Sequence, residues 1–215
     1  DYADVPLVPE SKPKIQWLPI LIAAAIFSAL SAWMAFASDG FLEADGMTHY
    51  MSRRWALDQP IHLVSIWNRP FCVLLYCIPA KFGGLEGTRL MSLVLALAMM
   101  LVTLAVARRL PMKRPTLAAL LLLTQPLLFA HSFSELTEVP FALLLIVMFL
   151  AYQQRWFWLL ALLAAIGPLA RPEGFGVLML VGVALIAHRR WYWLPILPLG
   201  LVICCLLYTS PSPRD

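Results

Sequence analysis

An all-α, polytopic transmembrane bundle is the fold this sequence predicts, and three observations carry it. Of the 215 residues, 61% are hydrophobic and 13% charged, against roughly 45–50% and about 25% in soluble domains. Mean hydropathy is +0.80. The apolar residues fall in runs close to the roughly 17–25 that a helix needs to cross hydrocarbon, with short charged clusters between them. The net charge of +4 is scattered among those clusters, which reads as a topology signal and not as a nucleic-acid-binding face. Cys72, Cys77, Cys204 and Cys205 have neither metal-ligand spacing nor a paired framework.

The elements follow in order. A first span is expected from about Ile15 to Ala37, behind Lys12 and Lys14. Ala35-Phe36-Ala37 looks like a signal-peptide cleavage site, but the apolar core exceeds the usual roughly 7–15 residues and more spans follow, so the helix is expected to stay uncleaved. Further spans are expected near 87–107, 115–131, 138–153, 156–170, 174–187 and 191–204, about seven in all. Between the first two lies an outer loop, about 39–86, with two juxtamembrane helices. Asp45 to Leu57 mixes Met47, Tyr50, Met51 and Trp55 with polar groups, as an interfacial amphipathic helix does. Pro70 to Phe82 is apolar but too short to span, and Gly83-Gly84 closes it. Residues 1–204 form the N-terminal part of one transmembrane domain. The 205–215 tail resembles the translation of a sequencing-library transposase adapter and is expected to be non-native, the true frame continuing elsewhere.

Charge sets the sidedness. If 70–82 does not span, Lys12, Lys14, Arg108, Arg109, Lys113, Arg114, Arg155, Arg189 and Arg190 share one side, the cytoplasm by the positive-inside bias. The other side receives Asp39, Glu43, Asp45, Asp58, Glu86, Glu135, Glu138 and Glu173, with Arg53, Arg54, Arg69, Lys81, Arg89 and Arg171. Trp156, Trp158, Trp191, Tyr192 and Trp193 flank the cytoplasmic cations as an interfacial belt. This describes a multi-pass cell (inner) membrane protein with its N-terminus inside.

Three clusters share the outer side. Asp45, His49 and Arg53 stand at i, i+4 and i+8, one helix face, where a carboxylate, an imidazole and a guanidinium suit a general base, a polar support and a phosphate clamp. Glu43, just ahead, is a second carboxylate or a metal ligand. The plainer reading of Asp45 is a helix N-terminal acid favoured by the dipole. In the second cluster, Ser132 to Pro140, Glu135 and Glu138 suggest substrate or metal contact, while Thr137 suits a helix cap. In the third, Arg171 offers a fork for a phosphate, or simply pairs with Glu173 in a Pro-Gly turn. His62 and His131 read as structural. No span carries a central charge, which favours an outward-facing active site over a transport pathway; a transporter or scaffold subunit is the alternative.

At these residues the chain resembles the GT-C superfamily of polytopic glycosyltransferases, protein O-mannosyltransferase-like and aminoarabinose-transferase-like enzymes included. The resemblance rests on Glu43-Ala44-Asp45-Gly46 followed by the 45–57 and 70–82 segments, and on Asn68-Arg69-Pro70, Phe82-Gly83-Gly84 and Thr88-Arg89-Leu90. Glu135-Leu136-Thr137-Glu138-Val139-Pro140 and Arg171-Pro172-Glu173-Gly174 look like its later loop motifs, so that it covers about 16–204. It implies inverting transfer of a sugar from a polyprenyl-phosphate donor to a lipid, glycan or protein hydroxyl, with no nucleic-acid partner. Carried over, Asp45 matches the base, with Glu43 the alternative because many relatives have Asp-Glu where this chain has Asp45-Gly46. Arg171 matches the lipid-phosphate contact, with Arg53 and Arg89 behind it; His49, Glu135, Glu138 and Glu173 complete the substrate site. Some members use a divalent cation (Mg2+ or Mn2+), for which Glu43, Asp45 and Glu138 are the candidate ligands.

Overall fold

Uninterrupted runs of Leu, Ala, Val and Ile satisfy their backbone polar groups as helices, and the computed structural model is helical throughout. It describes residues 14–40 and 44–209, and among these there is no strand. Ten α-helices follow in order: α1 (Trp17–Ala37), α2 (Ala44–Trp55), α3 (Ile61–Val64), α4 (Pro70–Ala107), α5 (Pro115–Leu123), α6 (Pro126–His131), α7 (Glu138–Gln153), α8 (Phe157–Ala170), α9 (Gly174–Ala187) and α10 (Leu199–Thr209). Two of them, α1 and α4, are long and apolar enough to cross a membrane.

Helix α4 is two limbs, not one rod. Gly84 stands at φ 63°, ψ −147°, a region essentially closed to residues with a Cβ. There the 70–83 limb turns back on the 85–107 limb, and Tyr76 Oη meets Ser92 Oγ at 2.9 Å across the fold. The break expected at Gly83-Gly84 is therefore present as a turn inside α4. Gly84→Ala is expected to cost about 1–3 kcal/mol, read as a lower unfolding midpoint in detergent.

Two expected spans are broken, and proline is the reason in both. The 115–131 segment is two helices, because Pro126 lacks the N–H that would continue α5 and clashes with the preceding turn. The 191–204 segment opens as a 3-10 helix, Trp191–Ile196, and becomes α-helical only at Leu199, after Pro195 and Pro198. Helix α10 then runs to Thr209, into the segment expected to be non-native.

The helices pack into two large apolar cores, with a small third cluster of Ala56, Val73 and Cys77. One joins α1, both limbs of α4, α5, α6 and the start of α7 around Phe27, Tyr76, Ala96 and Leu104; the other joins α7, α8 and α9 around Leu144, Ala161 and Leu185. Around them the flanks stay apolar and open, with Leu18, Trp33, Leu74, Phe82, Leu127 and Leu180 each more than 60% exposed. Apolar exposure on that scale marks a surface made for something other than water. The ends of the bundle are polar and unlike each other. The C-terminus of α1, Arg89, the 132–137 turn and the 171–173 turn meet at one end. Arg109, Arg155 and His188 meet at the other.

Candidate functional site

Helix α2 opens with Asp45 in its first turn, where the macrodipole favours an acid. Four-residue spacing does place Asp45, His49 and Arg53 on one face, but that face descends from water into the core. Asp45 is exposed, His49 half-buried and Arg53 0% exposed. The Arg53 guanidinium lies 4.1 Å above the Tyr76 ring, a cation–π contact. Its Nη1 donates to the Glu135 carbonyl at 2.5 Å, while Nε and Nη2 have no hydrogen-bond partner. Burial is the main reason its proton affinity falls below the usual arginine value.

The 132–137 turn gathers the deepest polar contacts. Arg89 Nε donates to Glu135 Oε1 at 2.6 Å, with both side chains buried. The rest of its fork closes the end of α1, with Nη1 on the Ala35 and Ser38 carbonyls (3.0 and 2.5 Å) and Nη2 on that of Gly40. Ser92 Oγ donates to the Ser134 carbonyl at 2.6 Å, and Ser31 and Ser132 hydroxyls meet at 2.6 Å. Arg89 and Glu135 thus lock the turn between α1 and α4 from inside, and neither faces a ligand-accessible surface.

Arg171 does reach the surface. Its Nε and Nη2 donate to the Glu173 carboxylate at 3.2 and 3.0 Å, and Nη1 donates to Thr137 Oγ1 at 3.1 Å and to Glu138. Thr137 is therefore not a side-chain cap of α7; its hydroxyl serves Arg171. The turn is held tight by Gly174, where a Cβ would sit 2.1 Å from the Gly167 carbonyl carbon. The two carboxylates hold the guanidinium firmly protonated, the Glu173 bonds foremost, and Arg171 in return holds the Glu173 carboxyl below its ordinary value. Glu138 Oε2 is buried and unpartnered.

His49 lies between these groups. Its pKa is pushed down to about 4, chiefly by burial and then by Arg53, with Arg69 adding to the effect and Asp45 and Glu138 opposing it. The imidazole is neutral at pH 7, able to donate at one nitrogen and accept at the other. Because the folded value lies below the ordinary 6.5, its stabilising share is fully present above that pH and lost as pH falls toward 4. His49→Gln is expected to flatten the fall in unfolding midpoint between pH 6.5 and 4, measured by thermal unfolding across that range.

Sequence reasoning passed over Arg69 as a site residue. It stands at φ 59° immediately before Pro70, a left-handed conformation that a residue with a Cβ resists. Its charge bears on both His49 and Glu173; the Arg-Pro pair was the available signal. His62 has a structural partner, Asn68, at 2.9 Å. Glu43 lies outside the described residues. Among those described, no three of His, Cys, Asp and Glu gather into a metal-ligating group. No family model, curated protein or solved structure matches the chain.

Proposed function

We propose that the chain is the membrane part of a glycosyltransferase that moves a sugar from a polyprenyl-phosphate donor to an acceptor hydroxyl, inverting the anomeric centre. The observation that carries this reading is the gathering at one bundle end of an exposed carboxylate, Asp45, a neutral imidazole, His49, and the Arg171–Glu138 pair with a free carboxylate oxygen. In the reaction Asp45 takes the acceptor's proton as its oxygen attacks the anomeric carbon. The bond from that carbon to the phosphate oxygen breaks, and polyprenyl phosphate leaves with the electron pair. Arg171 meets the charge developing on the phosphate, which exchanges for the exposed Glu173 carboxylate on the guanidinium fork. His49 holds the acceptor hydroxyl in line, and Glu138 keeps Arg171 oriented. Glu43 remains the second candidate base.

The same reading places the chain in the cell (inner) membrane in about seven passes, N-terminus cytoplasmic and site extracytoplasmic. Two long apolar helices, the exposed apolar flanks and the unlike charge of the two ends support it. The broken 115–131 and 191–204 segments then cross as interrupted helices, which neighbouring helices make tolerable. One observation favours a non-catalytic transporter or scaffold subunit instead: Arg53, Arg89 and Arg171 all have partners within the protein.

Turnover in proteoliposomes separates the two. Release of polyprenyl phosphate from sugar-loaded donors is expected with the native chain, and Arg171→Gln is expected to slow it by roughly 10²–10³-fold. Absence of release with every donor sugar, or equal rates in the variant, favours the non-catalytic reading.

A further inference from the structure

Among the described residues, the end of the bundle opposite Asp45 carries cations and no acid. Among the described residues no Asp or Glu occurs from 87 to 134, from 139 to 172 or from 174 to 209. The described segments that meet at this end therefore bring Arg108 to Arg114, Arg155, Arg189 and Arg190 together with no acid among them. Read along the sequence these were scattered topology signals, but the fold shapes some of them into a pocket of about 210 Å³. The turn after α4, the end of α7, the start of α8 and the end of α9 enclose it. Arg109 and Arg155 line it beside Phe149, Tyr152, Gln153 and Phe157. Its wall is braced by Tyr152 Oη against His188 Nε2 at 3.0 Å and by the His188 ring against Phe157, 5.2 Å between centroids.

Two observations say that the pocket is made for a ligand. Among the described residues neither exposed guanidinium, Arg109 nor Arg155, has an anionic partner, and the Gln153 amide oxygen is buried with no hydrogen bond, a polar group left unanswered inside the wall. Arg155 also occupies the C′ position of a Schellman turn, its N–H on the Tyr152 carbonyl (3.0 Å) and that of Trp156 on the Ala151 carbonyl (2.9 Å), at φ 57°. Glycine is the residue that position favours. An arginine held there at a cost in backbone strain presents its charge to the pocket mouth.

We propose that this pocket binds an anionic phospholipid of the phosphatidylglycerol class. The phosphodiester sits on Arg109 and Arg155, a headgroup hydroxyl donates to Gln153 Oε1, and an acyl chain lies along Phe149, Tyr152 and Phe157. A lipid fits better than a free phosphate because the lining is mostly aromatic and aliphatic, and because exposed Trp156, Trp158 and Trp191 flank this end as they do at headgroup level. Basic pockets between membrane helices on the cytoplasmic side bind such headgroups. The inference rests on the proposed membrane-spanning arrangement.

The test uses the 215-residue chain in mixed micelles, with dioleoyl-phosphatidylglycerol or dioleoyl-phosphatidylcholine as probe, read by native mass spectrometry and thermal unfolding. The native chain is expected to retain phosphatidylglycerol well above its bulk ratio and to gain midpoint from it alone. Arg109→Gln with Arg155→Gly is expected to weaken that retention on the order of 30-fold. Arg155→Gly by itself relieves the left-handed strain, so its midpoint in phosphatidylcholine is not lowered while the phosphatidylglycerol gain shrinks. Arg189→Gly is the matched control, since Arg189 ends α9 at φ 56° outside the pocket, and it keeps the gain. Equal retention of both lipids, equal loss in the Arg189 control, or the same shift from soluble glycerophosphoglycerol overturns the proposal. Carbonate extraction of the chain from vesicles would instead strike the spanning arrangement, whereas a chain that resists extraction and shows no preference strikes the lipid site alone.

Discussion

Asp45→Asn is expected to slow sugar transfer by roughly 10²–10⁴-fold, the contribution of a positioned general base, with little change in the unfolding midpoint. Asparagine keeps the size and one acceptor oxygen of the first-turn side chain while removing its charge and its capacity to take a proton. The dipole term lost at an exposed helix N-terminus is about 0.3–1 kcal/mol, small against the kinetic effect. Single-turnover rates and thermal unfolding on the same preparation separate the two. Full activity in the variant removes Asp45 from the role of base and moves that role to Glu43. A large fall in midpoint would mean instead that Asp45 acts as a helix-terminal residue.

Glu135→Ala is expected to have the largest effect on stability. Removing one partner of a buried ion pair costs about 3–5 kcal/mol, because the other charge stays behind unpaired. Here Arg89, 2.6 Å from the lost carboxylate, would be left in the interior without its counter-charge, while Arg53 keeps its bond to the backbone carbonyl of residue 135. Unfolding in denaturing detergent is the measurement. Combining Glu135→Leu with Arg89→Met should recover part of the loss, since a buried pair replaced by apolar groups is often near neutral. Recovery stays partial because Arg89 also holds the Ala35, Ser38 and Gly40 carbonyls. A cost below 1 kcal/mol would show the pair to be hydrated.

The legible parts of the fold share a cause. Ala37, Ala107, Gln153, Ala170 and Ala187 end helices within a residue or two of where the apolar runs end, since hydrocarbon-length runs and the cations after them are local signals. Gly83-Gly84 marked the α4 turn because only glycine tolerates φ 63° with ψ −147°. Pro126 and Pro198 were equally local, but hydropathy summed over a window hides a break of one residue.

The site divides along the same line. Spacing was enough to put Asp45, His49 and Arg53 on one face, and no more than that. Whether an arginine on that face meets a ligand or the Tyr76 ring depends on which way the helix is rolled against α4, which periodicity in a helix of mixed polarity leaves open. The partners that decide the other roles are remote in the chain, Arg89 and Glu135 46 residues apart and Arg53 and Glu135 82. Residue order thus established helices, an apolar surface and an acidic end opposite a basic one, all consequences of local hydropathy and charge. It took the packed bundle to make Arg53, Arg89 and Glu135 internal supports and to leave Asp45 open at the surface. Burial and ion pairing are properties of pairs of segments, and no single stretch of sequence contains them.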